Sequence, residues 1–173
     1  MEPQGHRRAI RVRTPAGTIE VLARDADEAA ALRPRLRAWI DGADDDFRDV
    51  PLPEGTDFQR RCWRACRRIP RGEVRTYAWL AAAVGRPGAA RAAGQAMRRN
   101  PMPIVVPCHR VVGSAGWMGG YSGESGARTG GIARKRFLLQ REAAKADVPS
   151  PARKSKARPS PAPAPHATER RRI

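Results

Sequence analysis

The chain has 173 residues, a formal net charge of +17 and a pI near 11.5. That length suits one domain or two small ones, and no run approaches the ~18 apolar residues that a membrane span needs. The stretch "MEPQGHRRAIRV" lacks the apolar core of a secretory leader, and three cysteines without such a leader point to reduced thiols in a cytosol-like compartment, such as a bacterial cytosol or nucleoid.

The charge is unevenly spread. Residues 1–55 carry a net of −2, residues 56–145 a net of +14, and residues 146–173 a net of +5. A basic central block is the footprint of a protein that meets a polyanion, nucleic acid first. A general arginine bias is the plainer alternative, but it does not account for an acidic first third.

In chain order, "AIRVRTPAGTIEVLA" (9–23) alternates Ile10, Val12, then Ile19, Val21 about a "TPAG" turn, the pattern of a hairpin. Residues 26–40 place Ala29, Leu32, Leu36 and Trp39/Ile40 on one helical face. "DGADDDFRDVPLPEGT" reads as an acidic, proline-bearing linker. Thr56 and Gln59 form a capping box that opens a helix, with Phe58, Cys62, Cys66 and Ile69 on one stripe and Pro70 and Gly72 ending it. Thr76 caps "YAWLAAAV", Gly85 closes it, "GRPG" turns, and "AARAAGQAMRR" forms the next helix. Two short helices joined by a tight turn suggest a helix-turn-helix, although ordinary helix packing gives the same pattern. "PIVVP" reads as a buried strand or extended segment between prolines. "GSAGWMGGYSGESGARTGG" reads as a long glycine loop. From Ile132 a last helix turns Ile132, Phe137/Leu138 and the stem of Arg141 inward. The tail 146–173 has the Pro/Ala/Lys/Arg composition of a disordered basic arm.

The expected fold class is therefore α+β. It comprises a small N-terminal α/β piece over 1–50, a linker at 51–55, and a mainly helical, winged-helix-like unit with a helix-turn-helix over 56–145, followed by the tail.

One thiol stands apart. Cys108 lies between Pro107 and His109, framed by valine pairs. A thiol acts as a nucleophile only as thiolate, which needs a base or a positive field nearby. In an extended segment neighbouring side chains point to opposite faces. His109 would then reach the sulfur either through a bridging water or through a turn at Pro107, with Glu142 a candidate to orient it. A buried free cysteine can equally be inert packing, and packing is the expected role of Cys62 and Cys66. With His6, His109 and His166 the only histidines, no zinc spacing is present and no metal or cofactor is expected.

"IVVPCHRVV", together with "NPMP", "IPRGEVRTYAWLAAAVG", "AARAAGQAM" and "GGYSG", resembles the O6-alkylguanine-DNA alkyltransferases over about residues 56–142. Five ordered blocks are far more specific than Pro-Cys-His-Arg alone. The resemblance implies a suicidal DNA repair protein that moves the alkyl group of O6-alkylguanine, and of O4-alkylthymine, onto Cys108. It implies a water-mediated relay of His109 and Glu142, a brace at Asn100, and a Tyr77 hydroxyl that protonates guanine N3 and helps rotate the nucleotide. Arg91 would fill the space of the flipped base. Ala90 and Gly94, with Ala93, would let the helix enter the minor groove of double-stranded DNA. The Val111 carbonyl and the Ser122 amide would meet the guanine edge, with Tyr121 and Ser114 lining the pocket. A monomer is implied.

The chain departs from the family pattern in three places, one being that it shows no set of N-terminal zinc ligands like those of some members, so no metal is expected. "ESGARTG" (124–130) is an insertion in the pocket wall, for which an altered tolerance of bulky alkyl groups is expected. The N-terminal piece is shorter than the family's ribonuclease-H-like sheet domain and reads as a reduced version of it. The competing readings are a non-catalytic, alkyltransferase-like lesion binder and a basic DNA-binding regulator. The first would replace the acceptor cysteine; the second gives Tyr77, Asn100, Cys108, His109 and Glu142 no reason to occur together.

Overall fold

The computed structural model describes residues 7–116, 118 and 130–143. Tyr121, Ser122, most of the 124–130 insertion and the tail lie outside the described residues. The hairpin is β1 (Arg8–Thr14) and β2 (Gly17–Ala23), antiparallel, with Ile10 opposite Val21 and Val12 opposite Ile19. Its period-2 pattern puts those four side chains on one buried face. Helix α1 (Ala26–Asp41) covers that face with Ala29, Leu32, Leu36, Trp39 and Ile40. Asp25 caps it by accepting from the Glu28 N–H at 2.8 Å. Gly42, at φ 114°, ends it: its N–H reaches the Trp39 carbonyl, and the Ala43 N–H reaches that of Ala38. This is the paired bonding of a Schellman stop, which a side chain at residue 42 would strain.

The acidic stretch after α1 is packed rather than a free linker. Phe47 and Val50 are buried, Arg35 forks onto Asp45 and Asp49 at 2.7–2.9 Å, and Arg67 donates to the carbonyls of Phe47 and Val50. One arginine with two carboxylate partners ties the segment down.

Helix α2 (Asp57–Cys66) opens with the Thr56/Gln59 capping box, both bonds formed. It stops at Cys66, ahead of Pro70, and Ile69 is buried from the turn that follows. Residues Arg75–Thr76 (β3) pair in parallel with Val111–Val112 (β4), which joins the helical unit to the cysteine segment. Helix α3 (Tyr77–Ala83) is capped by Thr76, and α4 (Ala90–Arg98) follows a turn in which Gly85 and Gly88 take positive φ. Helices α3 and α4 pack on each other and on α2, and the buried Trp63 indole donates to the Ala96 carbonyl at 2.9 Å, so the helix-turn-helix is a braced unit.

The final helix, α5 (Gly131–Ala143), buries Gly131, Lys135, Leu138 and Glu142. Of the inward face expected for it, only Leu138 is fully buried; Ile132, Phe137 and Arg141 lie at its margin. The buried cluster is continuous from Ile10 to Leu138. Hydrogen bonds from Leu22 N–H to the Pro101 carbonyl (2.8 Å) and from Arg141 Nε to the Ile40 carbonyl (2.5 Å) tie the hairpin–helix piece to the helical unit. Mixed helix and strand in this order make the fold α+β. Among the described residues, no helix is long and apolar enough to cross a membrane.

Candidate active site

The segment between α4 and the cysteine is folded by one side chain. Asn100 donates from Nδ2 to the Val106 carbonyl (2.9 Å) and accepts the Met102 N–H on Oδ1 (3.0 Å). The Val106 N–H closes the same loop on the Met102 carbonyl at 2.8 Å. "PIVVP" is therefore a buried turn and not an extended strand; only the isolated Pro103–Val106 bridge remains of it. Ile104 at its tip takes φ 77°, an outlier for a β-branched residue that costs of order 1–3 kcal/mol. Bonds at both ends of the turn hold it there.

The chain then winds into one 3-10 turn, Cys108–Arg110, with the Arg110 N–H on the Pro107 carbonyl at 2.9 Å. The turn sets aside the expectation that Cys108 and His109 alternate as in a strand. Cys108 is 5% exposed and His109 is fully buried. Burial pushes the Cys108 thiol pKa up, with a hydrogen bond from Asn100 and the charge of Lys135 acting against it. The resting group is a thiol that needs a base.

The neighbouring imidazole has a defined tautomer. His109 Nε2 lies 2.8 Å from Glu142 Oε1. Burial alone would raise the Glu142 pKa, but His109 and Arg110, both bonded to it, pull it down to about 2. Arg110 forks onto the carboxylate with Nε at 3.0 and 3.1 Å and Nη2 at 2.7 Å, and its Nη1 donates to the Ile69 carbonyl. An ionised carboxylate only accepts, so Nε2 carries the hydrogen. Burial holds His109 below its ordinary pKa despite Glu142, so the imidazole is neutral and Nδ1 keeps its lone pair. Among the described residues Nδ1 has no hydrogen-bond partner and no exposure to solvent.

Two further residues shape the site and had no sequence signal. Arg110 was read only as part of a motif, and Lys135 was not singled out. Lys135 is 1% exposed on α5, two turns before Glu142. Its ammonium donates to the Val111 carbonyl at 2.6 Å and to the Met118 carbonyl at 2.7 Å, and it stands 5.7 Å from the centre of the Tyr77 ring. Burial lowers its pKa to about 8, with the thiols of Cys108 and Cys66 acting in the opposite sense.

Tyr77 opens α3, and burial pushes its hydroxyl pKa up to about 12. Gly94 of α4 faces that ring; a Cβ there would stand 3.8 Å from it, in ordinary contact. Cys108, His109, Glu142, Asn100, Val111 and Tyr77 are thus joined by direct bonds or through Lys135. Arg91 is exposed on α4, Ala90 is half-buried beside it, and Ser114 is exposed in the turn Ser114–Gly116. Cys62 and Cys66 are buried free thiols, both raised in pKa by burial. Among the described residues no group of three or more His, Cys, Asp or Glu side chains could hold a metal ion.

Fold and site together define a helix-turn-helix protein built around one sequestered cysteine and an imidazole–carboxylate pair. Residues 57–144 match the family model for the 6-O-methylguanine DNA methyltransferase DNA-binding domain. The chain belongs to that family. It is 48% identical over 113 residues to the methylated-DNA–protein-cysteine methyltransferase of Mycobacterium tuberculosis (strain ATCC 25618 / H37Rv), covering 65% of this chain and 64% of the relative. It is 44% identical over 108 residues to that of Methanosarcina barkeri, covering 62% and 64%. The matched region therefore spans slightly less than two thirds of these relatives' length. The crystal structure of M. tuberculosis OGT in complex with DNA superposes with a TM-score of 0.64 at 37% identity, covering 78% of this chain and 91% of that one.

Proposed function

We propose that the protein repairs alkylated duplex DNA by moving the alkyl group from O6 of guanine, and by the same chemistry from O4 of thymine, to Cys108. The observation that carries this reading is the buried lone pair of His109 Nδ1, created by the Nε2–H bond to an ionised Glu142. The thiol proton passes to Nδ1 through a bridging water, and Glu142 stabilises the imidazolium that results. The Cys108 sulfur then attacks the alkyl carbon in line, forming the S–C bond as the C–O6 bond breaks. Guanine leaves with both bonding electrons and takes a proton at N3 from Tyr77, whose raised pKa keeps it protonated at neutral pH. Tyr77 recovers its proton from solvent. Asn100 fixes the turn that presents the sulfur.

The product is a thioether. A thioester has an electrophilic carbonyl that water can attack; S-alkylcysteine has none, so each molecule acts once. The alkylated base must leave the stack to reach a buried sulfur, at a cost of a few kcal/mol. Arg91, exposed on α4, would fill the gap, and Ala90 and Gly94 on the same helix would let it approach the minor groove closely. Val111, Ser114, Tyr121 and Ser122 are proposed to line the base pocket. We further propose residues 1–50 and 56–145 as its two units, a monomeric state, and a cytosolic location beside the nucleoid.

Mixing the protein with an excess of duplex containing O6-methylguanine tests the reading. Repair is expected to stop at one lesion per protein molecule. Continued turnover, or tight binding without loss of the methyl group, overturns it; the second result would favour the lesion-binding alternative.

A further inference from the structure

The last turn of α1 contributes to the site from outside the matched family domain. Trp39 is 1% exposed, and its ring meets that of His109 edge-on, with centroids 6.0 Å apart and planes at 66°. Arg71 lies over the Trp39 ring at 5.4 Å and is fixed by Asp44 Oδ1 at 2.9 Å, just past the end of α1. One residue on from Trp39, the Ile40 carbonyl accepts Arg141 Nε at 2.5 Å, and Arg141 directly precedes Glu142. Gly42 makes room for this bond: a Cβ there would come within 2.5 Å of the Arg141 guanidinium. One turn of helix therefore touches His109 itself and the chain neighbour of its carboxylate partner. Among the described residues the His109 ring has one hydrogen bond, at Nε2, which leaves it free to rock about that axis unless its flanks are packed.

We propose that Trp39 is a positioning residue: with the Ile40–Arg141 bond, it locks the His109 ring so that Nδ1 faces the thiol side and Nε2 stays on Glu142. On this view the N-terminal hairpin–helix piece is needed for chemistry as well as for folding. Edge-to-face contacts of this kind are geometrically selective, and reacting groups tolerate little displacement. The inference rests on the alkyl-transfer reading for its rate effect, but not for its effect on the imidazole.

The test compares the full chain with Trp39→Leu, Trp39→Phe, Arg141→Met and Leu36→Ala. Leu36 is buried in α1, so its truncation perturbs the same core. Two quantities are read: the single-turnover transfer constant at saturating methylated duplex, and the 15N signals of the His109 imidazole. Trp39→Leu is expected to slow transfer by roughly tenfold or more and to replace the single Nε2–H tautomer by an averaged one. Trp39→Phe, which keeps a ring edge, should restore both. Leu36→Ala should keep the wild-type tautomer and transfer constant. Arg141→Met, on the margin of α5, is the variant that decides if Trp39→Leu does not fold; several-fold slowing supports the proposal and an unchanged rate overturns it. An unchanged tautomer and rate in Trp39→Leu, or equal slowing in Leu36→Ala, also overturns it. If the wild-type protein transfers nothing, the alkyl-transfer reading fails and the imidazole signals still decide the role of Trp39.

Discussion

Replacing Glu142 by glutamine probes the proton-accepting pair most sharply, because it preserves size and removes one charge. The carboxylate accepts His109 Nε2 at 2.8 Å and three contacts from Arg110 at 2.7–3.1 Å. A glutamine oxygen in the place of Oε1 can keep the His109 contact and two of those from Arg110, but the NH2 group in the place of Oε2 then faces Arg110 Nε, donor against donor. Breaking a buried ion pair from one side costs about 3–5 kcal/mol, and loss of general-base assistance about 10²–10⁴ in rate. The acid limb of stability gives a second magnitude. The Glu142 pKa falls from 4.5 unfolded to about 2 folded, a difference worth about 3 kcal/mol. Because the folded value is the lower one, this stabilisation is complete above pH 4.5 and is lost as pH falls through about 2. His109, also lowered in the folded state, adds a loss that begins below its ordinary pKa of 6.5. The assays are single-turnover transfer and denaturant unfolding from pH 7 to pH 2. The glutamine variant should transfer at least a hundredfold more slowly and should lose the part of the acid limb between pH 4.5 and about 2. Wild-type transfer, or an unchanged acid limb, would refute the assignment of Glu142 as the ionised partner.

Three other outcomes are expected. Asn100→Ala removes both bonds that shape the Met102–Val106 turn; denaturant unfolding should show a loss of about 1–3 kcal/mol for each buried group left unpaired, with slower transfer. Lys135→Met keeps the stem but withdraws the positive charge near Cys108. The pH dependence of Cys108 alkylation by iodoacetamide should then move upward, and an unmoved profile would remove Lys135 from the account. Arg91→Ala alters an exposed side chain, so melting should be unchanged within about 0.5 kcal/mol, while capture of a lesion-bearing duplex weakens.

The helices of the central unit were legible because local chemistry fixes them. Thr56 with Gln59, Thr76 and Gly85 act within a few residues of themselves, and each does in the structure what its pattern implies. The same holds for the hairpin, whose alternation needs no distant partner. Misreadings fell where distant partners decide. "PIVVP" has strand propensity, yet Asn100 bends it from outside the segment and holds Ile104 at positive φ. On α5 the apolar residues define a plausible inward face, but Lys135 and Glu142 take the buried positions because Val111, Met118, His109 and Arg110 satisfy them there. No local pattern announces such partners. Likewise, the contact of Trp39 with His109 joins residues 70 apart in the chain, and Trp39 reads in sequence only as core. Cys108, His109 and Glu142 stand out as candidates in the sequence itself and take definite roles from a resemblance; the geometry supplies what neither could: the tautomer, the charge state and the arginine that holds the carboxylate.

The central claim is that Cys108 is the alkyl acceptor. Its most direct test is peptide mass mapping after incubation with duplex carrying a single O6-methylguanine. The account predicts a gain of one CH2 on the peptide containing Cys108, with unmodified peptides for Cys62 and Cys66, and no gain in Cys108→Ala, which should still bind the duplex. A methyl group found on another residue, or lost from the DNA with no gain in protein mass, would contradict it.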